Sequence, residues 1–168
     1  MGSWQSELKV DPVPTLLSTG NDAIKYFTLR DLCHRRVAPI ETLWELPGVK
    51  KLLKKQEKDG SWSYPGKKTI KHQDYQQYQT YLNLAELVEK YGLNNRHQSI
   101  RKAAEYLFSF QSDEGDFRGI YGNQYSTTYS PAIMEILIKA RYVDDPRISK
   151  GFEWLLSIRQ DDGGWALP

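Results

Sequence analysis

An internal repeat constrains the fold of this chain more than any other feature of its sequence. At an offset of 48 residues (Ile148 against Ile100), segment 148–158 overlays segment 100–110, with Ile, Lys, Glu, Leu and Ser at matching positions. The overlay continues into a turn, where 161–165 matches 113–117, and an earlier copy of this turn lies at 59–62. Three units therefore end at Trp62, Phe117 and Trp165. A fixed period of this length is typical of arrays of helical hairpins.

Two kinds of helix alternate in this repeat. Segment 100–108 places apolar residues at i, i+3, i+4, i+7 and i+8, which predicts a helix with one apolar face. Segments 75–91 and 132–140 are apolar on most sides and predict buried helices, with Ser130 and Pro131 suited to the N-cap and first turn of the second. Segments 21–35 and 48–56 predict further helices, with a short helix at about 41–46 between them. Since no strand pattern is present, we predict an all-α fold of hairpins in two layers.

The three turns share a motif. Gln56 and Gly60 precede Trp62 with the spacing Gln-x-x-x-Gly-x-Trp, and the second unit repeats this spacing up to Phe117. The third unit has Arg159 at the glutamine position. The pattern resembles the QW repeat of the squalene-hopene cyclase and protein prenyltransferase superfamily over about 48–165. Glycine permits a sharp turn and a glutamine amide can bond helix-end backbone groups, so a structural role is predicted for the turn residues. These residues are Gln56, Gly60, Trp62, Gln111, Gly115, Phe117, Gly163 and Trp165.

The resemblance implies an (α/α) toroid whose inner helices line a cavity for polyprenyl substrates. Cyclases of the superfamily protonate an alkene with an Asp-x-Asp-Asp motif, which this sequence lacks. Its protein prenyltransferases hold zinc with Asp, Cys and His, but the single cysteine, Cys33, lies outside the repeats. No metal and no cofactor are therefore predicted, and no residue is assigned a catalytic role.

Three function classes follow from these features. The first is a prenyltransferase-like or terpenoid-cyclase-like protein that acts on or binds an isoprenoid or another apolar ligand. The second is a non-catalytic helical-repeat module for binding or scaffolding, or a fragment of a larger toroid. A carbohydrate-active toroid ranks last, because such enzymes need paired carboxylates and Asp74 has no obvious partner.

Aromatic and hydroxyl residues cluster at the predicted starts of the two buried helices. The candidate ligand-cavity residues are Asp74, Tyr75, Tyr78, Tyr81, Tyr125 and Tyr129, with His72, Thr80 and Tyr121 nearby. Tyrosine faces can contact polyprenyl chains or stabilise cationic intermediates. Two alternatives stand beside this interpretation: the rings fill space between helices, and Asp74 caps its own helix.

Lysines are concentrated in the first unit. They are Lys50, Lys51, Lys54, Lys55 and Lys58 on the predicted helix and Lys67, Lys68 and Lys71 in the loop that follows. Such a cluster predicts either contact with an anionic head group or lipid surface, or a solvated outer face. Glu57 and Asp59 dilute the positive charge, which favours the solvated face.

Length and composition set the remaining expectations. At about 50 residues per hairpin, 168 residues hold roughly three units, about half of a closed ring. We expect an N-terminal helical segment (1–47) and the repeats (48–168), with a homo-oligomer or missing C-terminal repeats completing the ring. A net charge of +2 argues against a nucleic-acid partner. One cysteine and the absence of a long apolar run predict a cytoplasmic protein without a transmembrane segment.

Overall fold

A computed structural model describes residues 8–66 and 74–166, and in these ranges the chain is all-α, as predicted. Its α-helices are α1 Val13–Ser18, α2 Asp22–Phe27, α3 Pro47–Leu53, α4 Tyr75–Ala85, α5 Gln98–Phe108, α6 Tyr129–Leu137 and α7 Pro146–Ser157. A 3-10 helix, Ile40–Glu45, precedes α3. Three π-helical turns continue α2, α4 and α6, and they are Thr28–Leu32, Glu86–Lys90 and Ile138–Tyr142. No helix within the described ranges is long and apolar enough to cross a membrane.

The helices pack as hairpins in two layers. Helix α4 packs against α5 and α6 packs against α7, while α4 and α6 lie side by side. The outer helices are joined directly, because Arg147 of α7 pairs with Glu105 of α5 at 2.7 Å and its guanidinium lies 3.6 Å from the ring centroid of Phe108. The outer helices thus contact each other as well as the inner helices.

One hydrophobic core runs through the molecule. Its fully buried side chains come from both layers: Leu84, Leu87, Ile100, Leu107, Ile133, Leu137 and Ile148. Ala23 and Leu43, which precede residue 47, belong to the same core as Val49, which follows it. The predicted segments 1–47 and 48–168 therefore share a core, and their division stays a prediction.

The turns after α3 and α5 make the same contacts with the outer helix that follows. The Gln56 side-chain amide donates from Nε2 to the Gly60 carbonyl at 2.9 Å and to the Ser99 carbonyl of α5 at 2.8 Å. In the next unit, Gln111 Nε2 donates to Gly115 at 2.9 Å and to the Arg147 carbonyl of α7 at 2.8 Å. Each glutamine thus joins its own turn to the first turn of the next outer helix.

Each of these turns is also tied to the inner layer. The backbone N–H of Trp62 donates to Thr80 Oγ1 at 3.0 Å, and that of Phe117 donates to Ser130 Oγ at 2.9 Å. The prediction of Ser130 as the N-cap of its helix is wrong, because Thr128 occupies that position and Ser130 lies inside α6. The Ser130 hydroxyl instead accepts a hydrogen bond from the buried backbone N–H of Phe117 in the turn.

Candidate ligand-binding face

Four tyrosines meet where α4 and α6 lie side by side. Tyr129, at the start of α6, lies at the centre, with its ring centroid 5.7 Å from Tyr81 and 6.4 Å from Tyr78 of α4. Tyr121, in the loop before α6, lies 6.3 Å from Tyr129 and edge-on to it. Such distances are typical of packed aromatic pairs. The structure therefore brings together three of the six predicted cavity residues and Tyr121, which was predicted to lie nearby.

Part of this cluster is open to solvent. Tyr78 is 37% exposed and Tyr121 is 49% exposed, while Tyr129 beneath them is 7% exposed. Leu82, one helical turn after Tyr78 and on the same face of α4, is 40% exposed. Large apolar side chains on a free face of an inner helix mark a candidate binding surface. We call the surface formed by Tyr78, Leu82, Tyr121 and Tyr129 the tyrosine face.

The hydroxyl of Tyr129 is buried and lacks a hydrogen-bond partner within the part of the chain that the structure describes. Burial raises the pKa of Tyr129 far above its usual value, and burial also raises that of Tyr81. Both hydroxyls therefore stay protonated at neutral pH. The tyrosine face can offer ring surfaces to an apolar molecule.

The other three predicted cavity residues lie apart from this cluster. Asp74 caps α4, since its side chain accepts from the Gln77 backbone N–H at 2.8 Å, and its own N–H donates to the Gly119 carbonyl at 2.8 Å. Tyr75 packs against Tyr64 at 4.9 Å, and Tyr125 packs edge-on against Trp154 of α7 at 5.9 Å. His72, a predicted neighbour of these residues, and the loop lysines of the predicted cluster, Lys67, Lys68 and Lys71, lie outside the described residues.

Gln77 positions the tyrosine face, and no sequence pattern singled it out. Its side chain is fully buried, donating from Nε2 to the Arg118 carbonyl at 2.7 Å and accepting at Oε1 from the Ile120 N–H at 3.0 Å. These bonds hold the loop that carries Tyr121 against α4. In the sequence, Gln77 is recognisable only as a glutamine among apolar residues. Gln76 and Gln79 share this feature, so the sequence does not distinguish Gln77 from them.

Replacing Gln77 with leucine should lower the free energy of unfolding by about 3 kcal/mol, because two buried backbone groups lose their partners. The matched control is Gln79→Leu, whose amide donates to the side chain of Asn83 and to no other of the described residues. This variant should change stability by less than about 0.5 kcal/mol. Chemical denaturation of both variants measures the difference. Equal losses for the two substitutions would contradict the positioning role.

A second concave region lies at the opposite ends of the inner helices. A cleft of about 430 Å³ runs between α2 and the π-helical turn after α4. Ile24, Phe27 and Leu32 line one side and Glu89 and Lys90 the other. In residues 8–66 and 74–166, no three His, Cys, Asp or Glu side chains come together as metal ligands.

Comparisons with known proteins agree with the hairpin architecture. A crystal structure of a protein from Actinoplanes superposes with a TM-score of 0.50 at 19% sequence identity, over 73% of this chain and 35% of that one. This chain thus spans about a third of that protein's length, and the likeness concerns the fold. No curated protein matches the sequence. Residues 71–167, more than half of the chain, match the squalene-hopene cyclase C-terminal domain. The resemblance inferred from the turns is confirmed, and the chain belongs to the squalene-hopene cyclase C-terminal domain family.

Proposed function

We propose that the tyrosine face binds an isoprenoid or another apolar small molecule. The observation that carries this proposal is the placement of exposed Tyr78, Leu82 and Tyr121 around the buried ring of Tyr129. Membership of a family that includes cyclases of polyprenyl substrates supports the ligand class. Apolar side chains exposed on a supported inner helix would be shielded from water by such a ligand.

The predicted cavity residues take different roles in this function. Tyr78 and the partly exposed Tyr81 would contact the ligand, and Tyr129 would support their rings from beneath. Asp74 is a positioning residue, because it begins α4 and holds Gly119 of the loop that carries Tyr121. Tyr75 and Tyr125 would support the regions around the tyrosine face by packing against Tyr64 and Trp154, respectively.

The wider setting forms part of the same proposal. The protein would work in the cytoplasm, and the cavity would be completed by a second copy or by further repeats. The 1–47 segment would support the inner layer of the repeat array, as its share of the hydrophobic core suggests.

Binding of geranylgeraniol and farnesol tests the ligand class, and isothermal titration calorimetry measures it. Tyr78→Ala and Leu82→Ala should each weaken binding about tenfold, because each removes exposed apolar contact area from the face. The matched control is Val143→Ala, a truncation of an apolar side chain that is 56% exposed elsewhere and should leave affinity unchanged.

Two results would contradict the proposal: no binding of either alcohol by the wild type, or equal affinity for the wild type and both face variants. Incubation with farnesyl or geranylgeranyl diphosphate, with and without magnesium, tests for turnover. A product would show that the face belongs to an active site, whereas binding without product would identify a binding module.

A further inference from the structure

The outer helices α5 and α7 begin with the same kind of N-cap, but the capping residues differ. They are His97 and Asp145, which are equivalent at the repeat offset of 48 residues. His97 Nδ1 accepts from the Ser99 backbone N–H at 3.2 Å, and Asp145 Oδ1 accepts from the Arg147 backbone N–H at 2.9 Å. An aspartate accepts such a bond at any pH above about 4, whereas a histidine accepts it only while its imidazole is neutral.

The hydrogen bond at His97 defines the protonation state of its imidazole. Because Nδ1 accepts, it carries no proton, and the ring is the neutral tautomer with its proton on Nε2. A second proton would bind Nδ1 and place a donor opposite the Ser99 N–H. It would also place a positive charge at the N-terminus of a helix, where the backbone dipole disfavours cations. Protonation of His97 would therefore remove the cap of α5.

His97 also joins α5 to the segment that precedes the repeats. Its ring packs edge-on against Trp44 of the 3-10 helix, with the two ring centroids 5.7 Å apart. Arg96 covers the same indole, with its guanidinium 5.6 Å from the ring centroid, and is neutralised by an ion pair with Glu41 of the 3-10 helix. The imidazole is thus held between the first turn of α5 and an aromatic ring.

The surroundings of His97 favour the neutral imidazole. Burial and the positive charge of Arg101, one turn further along α5, lower the pKa of His97, while the negative charge of Glu45 raises it by less. Glu45 is itself paired with Lys50 of α3 at 2.8 Å. His97 is therefore uncharged at neutral pH, and its cap is intact there.

The residue that His97 caps also receives the contact from the preceding repeat. The Ser99 carbonyl accepts the Gln56 side-chain amide at 2.8 Å, so the first turn of α5 holds the turn after α3. The equivalent Arg147 carbonyl of α7 accepts Gln111 at 2.8 Å. There the cap is an aspartate, and its bonds to Arg147 lower the pKa of Asp145. The cap of α7 therefore stays ionised in mild acid.

We propose that His97 is a pH-sensitive cap, which fastens α5 to the 3-10 helix and to the turn after α3 at neutral pH and releases this junction in mild acid. A neutral cap contributes its full stabilisation above the pKa of a histidine in an unfolded chain, about 6.5. That stabilisation decreases as the pH falls below this value, because protonation then favours the open state. The inference is independent of the ligand bound at the tyrosine face.

Thermal unfolding of the full chain at pH 7 and pH 5 tests the role of His97. Between these pH values the unfolding temperature of the wild type should fall by about 4 °C more than that of His97→Asn, because the asparagine oxygen accepts the capping bond at both. The matched control is His34→Asn, which removes an exposed histidine with a φ of +50° that asparagine also adopts. This variant should keep the wild-type fall. His72 is present in all three proteins and does not affect the comparison.

Hydrogen exchange of the wild type, corrected for the intrinsic effect of pH, locates the opening. The Ile100 N–H donates to the His97 carbonyl at 3.1 Å, and the equivalent Ile148 N–H donates to the Asp145 carbonyl at 2.9 Å. From pH 7 to pH 5 the protection of Ile100 should fall about tenfold, while that of Ile148 should stay unchanged. Equal pH dependence of the wild type and His97→Asn, a fall that His34→Asn removes, or equal losses of protection at the two amides would overturn the inference.

Discussion

Replacing Gly115 with alanine is expected to lower the free energy of unfolding by about 4 kcal/mol. Gly115 has a φ of +115°, which L side chains rarely adopt, and a Cβ there would lie 2.5 Å from the Lys150 carbonyl oxygen of α7. The neighbouring atom belongs to a helix backbone and cannot turn aside. The substitution therefore combines left-handed strain with a clash between two repeat units.

Gly163→Ala is the matched control for this experiment. Gly163 has a φ of +87°, but its Cβ would meet only the flexible guanidinium of Arg159, at 2.8 Å. This substitution should cost about 1 to 2 kcal/mol, the strain alone. Urea denaturation of both variants measures the difference. Equal losses would show that the turn does not pack tightly against the following helix.

Trp62→Ala should lower the free energy of unfolding by about 4 kcal/mol, as expected for removing a buried indole. Trp62 is 2% exposed, and its Nε1 donates to the Leu52 carbonyl at 2.9 Å. The same atom of Trp165 makes the same bond, at 2.7 Å, on a side chain that is 42% exposed.

Trp165→Ala should therefore lose only about 1 kcal/mol. Thermal and chemical unfolding of the two variants distinguish two contributions to stability. Both residues make the hydrogen bond within the turn, but only Trp62 is buried. If Trp165→Ala proves as costly as Trp62→Ala, burial is not what makes Trp62 the more stabilising residue.

The hairpin arrangement could be predicted from the sequence because it depends on residues close together in the chain. A glutamine, a glycine and an aromatic residue at fixed spacing form a turn, and the same spacing after each outer helix indicates the same turn each time. Tyr78 and Tyr81 are three residues apart on one helix, so their contact also depends only on residues close together in the chain.

The rest of the tyrosine face depends on contacts between distant residues. Tyr121 reaches Tyr129 because Gln77 bonds Ile120 across 43 positions, and no local pattern encodes that bond. Tyr125 was predicted to belong to the same cluster, but the loop directs its ring toward Trp154 of α7 and away from Tyr129. Spacing along a chain does not determine which way a loop side chain points.

A crystal structure of the protein with bound geranylgeraniol tests the central claim most directly. The account predicts electron density for the isoprenoid chain along Tyr78, Leu82 and Tyr121. Density in the cleft lined by Ile24 and Phe27 instead, or no density in crystals grown at saturating ligand, would contradict the assignment of the tyrosine face as the binding site.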